Sequence, residues 1–269
     1  MRNVYAYWHG RGGLGSTTNF GDDLTPFLCR ALSGREVSFR DARKPGAGCD
    51  LIGVGSLLQW VSREHDGHIW GTGFIKDDVP NPLFPRAQVT AVRGVKTAQK
   101  LGVDPKKIAL GDPGLLAHVL KCDGVEKTHR VGLIPHLIHH KHRIVQRLTK
   151  KQGIHFINIR RLAPQVVIEA QRCDFIISSS LHGLVLADSL GIPNRWAWLA
   201  NGKGIIGGRF KFDDYYSAFG IHRDPITLEM GDTYKTIIKK IGYYERPGLQ
   251  EIKEKLVESF SIISRSCRD

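Results

Sequence analysis

A chain of 269 residues, 41% of them hydrophobic, can bury a sizeable core and has room for two domains. Its composition is not that of a collagen, a coiled coil or a disordered segment, and it has no run of about 18 apolar residues to cross a bilayer. The formal net charge of +13 suits an anionic partner such as a phosphorylated substrate, an acidic lipid headgroup or nucleic acid, or simply a solvated basic surface.

The first half alternates short strands and helices. Val4 to Trp8 reads as a strand, Asp22 to Leu32 as a helix with Leu24, Phe27, Leu28 and Leu32 on one side, and Glu36 to Phe39 as a strand. Asp50 to Gly55, His68 to Gly73 and Gln88 to Arg93 are further strands. A helix opens at Arg93-Gly94, runs to Leu101 and stops at Gly102. Ile108 to Leu110 leads into a Gly-Asp-Pro-Gly turn.

A second series begins near Arg130. Val131 to Ile134, His155 to Ile159, Asp174 to Ser178 and Pro193 to Leu199 read as strands. His142 to Gln152, a segment opened by Pro164 and ending at Arg172, and Leu181 to Leu190 read as the helices between them. Spacing of this kind predicts parallel sheets. The expected organisation is an α/β fold of two Rossmann-like domains, residues 1–118 and 119–225, facing a cleft. A helical segment, 226–269, follows and breaks near Pro247-Gly248.

Several features are set aside on their chemistry. Gly10-Arg-Gly-Gly-Leu-Gly15 matches a dinucleotide fingerprint, but no helix pattern follows at once. As a P-loop it has Ser16 where the lysine must stand. The five cysteines (Cys29, Cys49, Cys122, Cys173, Cys267) are scattered and lack zinc-ligand spacing, so reduced thiols are expected. From Lys127 to Ile168 there are nine Lys/Arg and six His with no acidic residue. This stretch reads as a solvated basic face, and His139-His140-Lys141-His142 within it does not read as a metal site. No metal is expected. With no RNP, zinc-finger or helix-turn-helix signature, nucleic acid is not an expected partner. The N-terminal Met1 to Trp8 is too short and too polar beyond Trp8 for a secretory signal, so a cytoplasmic location is expected.

The chemistry concentrates in Ser178-Ser-Ser-Leu-His-Gly-Leu-Val-Leu-Ala-Asp-Ser-Leu-Gly-Ile-Pro193. A buried strand runs into three hydroxyls and a helix start, where free amides and the helix dipole favour an anion. His182 in the first turn can transfer protons near neutral pH. The plainer alternative is a serine-capped helix with a surface histidine.

This segment resembles the hallmark of the polysaccharide pyruvyl transferases, in particular the branch that forms pyruvate ketals on exopolysaccharides. Asn19-Phe-Gly-Asp-Asp-Leu-Thr-Pro26, Gly53-Val-Gly-Ser-Leu57, Trp70-Gly-Thr-Gly-Phe74 and Val92-Arg-Gly-Val-Lys-Thr97 resemble family blocks in the same order. So do Gly111-Asp-Pro-Gly-Leu-Leu116, Gly132-Leu-Ile-Pro-His136 and Phe210-Lys-Phe-Asp-Asp-Tyr-Tyr216. The resemblance implies a GT-B-like fold, phosphoenolpyruvate as donor with no separate cofactor, and a sugar acceptor, expected to be a lipid-linked oligosaccharide. It implies a catalytic role for His182, with Ser178, Ser179, Ser180, Leu181 and Gly183 around the donor. Some members carry Arg where Ser180 stands, so another cation is needed; Arg93, His136, Arg209 and Lys211 are the candidates. Each also has a plain reading as a helix cap, a turn residue or a solvated charge. Asn19, Gly21 and Asp22 are further substrate candidates, although acids at a helix start are welcome without any substrate. The implied reaction forms a cyclic ketal and releases phosphate, and the basic stretch suits peripheral contact with anionic lipid at the inner face of the plasma membrane. The rival activities are a GT-B glycosyltransferase using a nucleotide-sugar and a basic, non-catalytic scaffold at a membrane.

Overall fold

A computed structural model describes residues 2–9, 19–78, 80–81 and 83–266. Its strands pair in parallel throughout. β1 (Val4–Tyr7), β2 (Val37–Phe39), β3 (Leu51–Ile52), β4 (His68–Trp70), β5 (Gln88–Val92) and β6 (Ala109–Leu110) form one sheet in the order β2-β1-β3-β4-β5-β6. β7 (His129–Ile134), β8 (His155–Phe156), β9 (Cys173–Ser178), β10 (Asn194–Leu199) and β11 (Ile226–Leu228) form the other, in the order β11-β10-β9-β7-β8. The helices are α1 (Phe20–Ser33), α2 (Val95–Lys100), α3 (Arg143–Lys151), α4 (Ala163–Gln171), α5 (Leu181–Ser189), α6 (Phe210–Ser217), α7 (Tyr234–Ile241) and α8 (Leu249–Ser266). The molecule is thus α/β, as the alternating pattern predicts. Among the described residues, no helix is long and apolar enough to cross a membrane.

Glycines shorten two of the expected strands. Asp50 to Gly55 contributes only Leu51–Ile52, because the chain bends away before Gly55, whose φ is +116°. His68 to Gly73 ends at Trp70, because Gly71 turns left-handed at φ +74°. Both bends leave a loop at the C-terminal end of a parallel strand, where open α/β sheets place their ligands.

The two sheets share one apolar core. Trp8, Leu24 and Leu28 from the first half lie in the same cluster as Ile134, Val185 and Trp196 from the second. The layer between them is made by α1, α5 and a 3-10 segment, Pro113–Leu120, which packs on both helices. Smaller clusters cover the outer faces, with Ile52, Ile69 and Phe74 on one side and Leu133, Leu148 and Ile237 on the other.

The last segment divides between the two sheets. β11 joins the second sheet beyond residue 225, in register with β10 from Ala197↔Ile226 to Leu199↔Leu228, and α7 covers it. The helix α8 returns to the first sheet, where Trp70 Nε1 lies 3.1 Å from both Leu256 O and Ser259 Oγ. The connector between α7 and α8 is fastened to the buried Asp188 of α5. That carboxylate accepts from Tyr244 Oη at 3.0 Å, Arg246 Nε at 2.8 Å and Tyr215 Oη at 2.6 Å.

Candidate functional site

Two helix starts meet at the site. Asn19 caps α1 from extended backbone, its Oδ1 accepting from Gly21 N at 3.2 Å, and Asp22 and Asp23 follow in the first turn. Gly21 lies against His182: a Cβ there would stand 1.8 Å from His182 Nδ1. Only glycine lets α1 and α5 approach this closely. Gly21→Ala is therefore expected to displace the imidazole and lower kcat by ~10²-fold, the cost of misplacing a reacting group by about 1 Å. Activity assays beside far-UV circular dichroism check this; unchanged kcat would show that the imidazole's seat does not matter.

At α5 the three serines divide their roles. Ser178 Oγ lies 2.7 Å from Ile134 O and from Ser180 O and accepts from Ser180 N at 3.0 Å, tying β7 to the end of β9. Ser179 Oγ accepts from His136 N at 3.0 Å and lies 3.0 Å from His139 Nδ1. Ser180, the residue before α5, makes no capping bond with its own side chain. The expected row of three hydroxyls facing an anion thus becomes one, with two serines bonded inside the structure. The leading amides of α5 have no side-chain acceptor from their cap and are available to an anion. Gly183 is needed for packing, since a Cβ there would come within 2.3 Å of Ser178 Oγ.

A pocket of about 340 Å³ opens on these helix starts. Asn19, Asp22, His136, Ser180, Leu181, His182 and Lys211 line it, which brings together seven of the residues singled out in the sequence. His9, Ser56, Leu57, Trp60, Ile75 and Ile206 complete the wall, and sequence reasoning missed them. The available signal was position: His9 follows β1, Ser56 follows β3 and Ile75 follows β4. Trp60 and Ile206, 45% and 69% exposed, give the mouth an apolar lip. The Gly10 to Thr17 segment and Cys267 lie outside the described residues.

Two of the candidate cations stand elsewhere. Arg93 is fully buried, with Nε 2.9 Å from Asp214 Oδ2, Nη1 2.6 Å from Ser56 Oγ and Nη2 2.6 Å from Phe74 O. It orients the pocket's Ser56 without reaching the pocket wall. Arg209 is bound to Asp213 and Asp224. Lys211 does line the pocket, is 8% exposed, and has no hydrogen bond or ion pair among the described residues.

The titrating groups are shifted by burial and by one another. Burial, then the charge of Lys211, pushes His182 down to about 3, and the same two causes bring His136 down to about 4. Both imidazoles are neutral at pH 7. Burial and Arg93 bring Lys211 down to about 8 against the pull of Asp22, so its ammonium form still dominates at pH 7. Burial and the neighbouring Asp23 raise Asp22 to about 7, leaving it divided between acid and carboxylate. The pocket therefore holds a cation, a neutral base and a carboxyl group that can give up a proton near neutrality.

These shifts set a pH dependence of stability. A histidine whose folded pKa lies below its free value takes up its proton more readily when unfolded, so stability falls as pH drops through that interval. For His136 the interval runs from 6.5 down to about 4. Thermal unfolding from pH 7 to pH 5 is expected to show Tm falling faster for the wild type than for His136→Asn. Parallel curves would contradict the shift.

The family model described as Polysaccharide pyruvyl transferase matches residues 14–201. The "Succinoglycan biosynthesis protein ExoV" of Rhizobium meliloti (strain 1021) is 26% identical over 242 residues, covering 88% of this chain and 72% of that protein. The "Uncharacterized protein L143" of Acanthamoeba polyphaga mimivirus is 31% identical over 223 residues, covering 77% of this chain and 72% of that protein. The matched stretch contains both helix starts and, of the pocket residues, leaves out His9, Ile206 and Lys211.

Proposed function

Since this chain belongs to the polysaccharide pyruvyl transferase family, we propose that it moves a pyruvyl group from phosphoenolpyruvate to a sugar of an exopolysaccharide or capsule repeat unit, closing a cyclic ketal and releasing phosphate. The observation that carries this reading is the pocket where the start of α5, Lys211, Asp22 and the neutral His182 meet. Phosphoenolpyruvate brings a phosphate and a carboxylate, which suit helix amides and an ammonium group with no hydrogen bond or ion pair among the described residues.

Each proton has a route. Asp22 in its acid form protonates the methylene carbon, which becomes a methyl group and makes the adjacent carbon electrophilic. His182 accepts the proton of an attacking sugar hydroxyl, and the new C–O bond forms at that carbon. A second hydroxyl of the same sugar then displaces phosphate: its proton passes to the Asp22 carboxylate, the new C–O bond forms as the bond to phosphate breaks, and the His182 imidazolium gives its proton to the departing phosphate. The two hydroxyl protons balance the one gained by the methyl group and the one that leaves on phosphate. Bound donor raises the basicity of His182, because added negative charge favours the imidazolium form.

The proposed architecture is two Rossmann-like units facing a cleft, in the GT-B manner, supported by a pocket that draws on strand ends of both sheets. The proposed acceptor is a lipid-linked oligosaccharide at the inner face of the plasma membrane. Exposed Lys141, Arg143, Arg160 and Arg161 near exposed Ile138 and Leu162 support that setting. Isothermal titration tests the donor: phosphoenolpyruvate should bind and a panel of nucleotide-sugars should not. The opposite pattern would favour a glycosyltransferase.

A further inference from the structure

A second cavity, of about 300 Å³, is lined in part by residues next in sequence to those of the first. They share two stretches of chain. At the end of β9, Ser179 lines the second cavity and Ser180 the first. In the glycine-rich loop after β10, Ile205 lines the second and Ile206 the first. A ligand in the second cavity is thus held by the same chain segment, the end of β9, that runs into the helix start carrying His182.

The wall of the second cavity has the composition of a carbohydrate site. Trp198, 42% exposed, stands at the C-terminal end of β10, two residues past the pairing of Trp196 with Ser178. Its ring meets Trp196 edge-on at 5.6 Å, which steadies it while part of it stays open. An aromatic face attracts the positively polarised C–H groups of a sugar ring, as it attracts the edge of another aromatic ring. Polar groups are few and fixed: His139 is held by Ser179 Oγ at 3.0 Å and Lys203 O at 2.9 Å. Leu199, Lys203 and Ile205 line the rest together with Gly202, Gly204 and Gly208, and an added Cβ on Gly204 or Gly208 would meet no atom within 4 Å. Apolar surface with a few placed polar groups is the usual make-up of a small-molecule site.

We propose that this second cavity is the acceptor subsite, in which a neutral sugar ring stacks on Trp198 and presents its hydroxyl pair toward His182. The proposal rests on the pyruvyl-transfer reading for the word acceptor; the sugar site itself does not. It explains why two cavities are needed, one for an anionic donor beside Lys211 and one for an uncharged ring beside a tryptophan.

Saturation-transfer NMR with neutral hexoses and their disaccharides tests it, alongside calorimetric titration of phosphoenolpyruvate. Trp198→Ala should weaken sugar binding by about ten-fold, the effect of losing roughly 1.4 kcal/mol. Gly204→Leu, at a position without positive φ, should block the cavity without straining the backbone. Neither should change phosphoenolpyruvate binding. Sugar binding that survives in both variants, or no binding of any panel sugar to the wild type, would overturn the subsite. Sugar binding that depends on Trp198, with no binding of phosphoenolpyruvate, would uphold the subsite and overturn the donor assignment instead.

Discussion

His182→Ala is expected to lower turnover by ~10² to 10⁴-fold, the usual worth of a positioned acid or base. Neither ring nitrogen has a hydrogen-bond partner among the described residues, and the ring's aromatic neighbour is Phe20, edge-on at 6.4 Å. The imidazole's part in the fold is packing alone, against Gly21 and Phe20, so its loss should lower the unfolding midpoint only slightly. Phosphoenolpyruvate should still bind, since Lys211 and the amides of α5 remain. His182→Gln should fail as badly, because an amide keeps the volume and loses the base. Near-normal turnover in either variant would remove His182 from the chemistry.

Asp214→Ala is expected to cost about 3–5 kcal/mol of stability, the penalty for stranding a buried charge. Asp214 and Arg93 are both fully buried, and Asp214 also accepts from Thr97 N at 2.9 Å and Thr97 Oγ1 at 2.7 Å. Removing the carboxylate leaves the guanidinium and two threonine donors without their acceptor. Arg93→Met with Asp214→Leu should recover much of the loss, because no charge is then buried alone. Urea unfolding of the single and double variants measures both effects. If Asp214→Ala unfolded at the wild-type urea concentration, the pair would not be a structural joint.

That joint shows how sequence and structure relate in this molecule. In the sequence, Val92 to Thr97 and Phe210 to Tyr216 are separate blocks in a shared order. The structure joins them: Asp214 of α6 binds Arg93 and the start of α2, and a Cβ on Gly94 would stand 1.8 Å from Asp214 O. A residue separation of more than a hundred cannot be read from spacing. Arg93 therefore looked like a donor ligand, when its charge is already paired. The helix α6 was itself missed, although Phe212, Tyr215 and Tyr216 recur at helical spacing on its buried side. Strand β11, only three residues long and directly after Pro225, was too short to give a pattern.

Local features were more legible. The body of α1 and the start of α5 after a buried strand both follow from hydrophobic pattern, while the asparagine cap that starts α1 two residues before Asp22 was not read. The burial of each serine was not, because it depends on what β7 offers across the sheet. Nor was the pocket's apolar lip: Trp60 and Ile206 belong to loops, and only the folded chain brings them beside His182.

The most direct measurement uses carbon-13-labelled phosphoenolpyruvate and lipid-linked oligosaccharide, followed by mass spectrometry of the saccharide and assay of free phosphate. The proposed function predicts a labelled ketal on one sugar, phosphate released in equal amount, and both formed ~10² to 10⁴-fold more slowly with His182→Ala. Unlabelled saccharide with no phosphate released, or a hexose gained from a nucleotide-sugar in the same pocket, would contradict it.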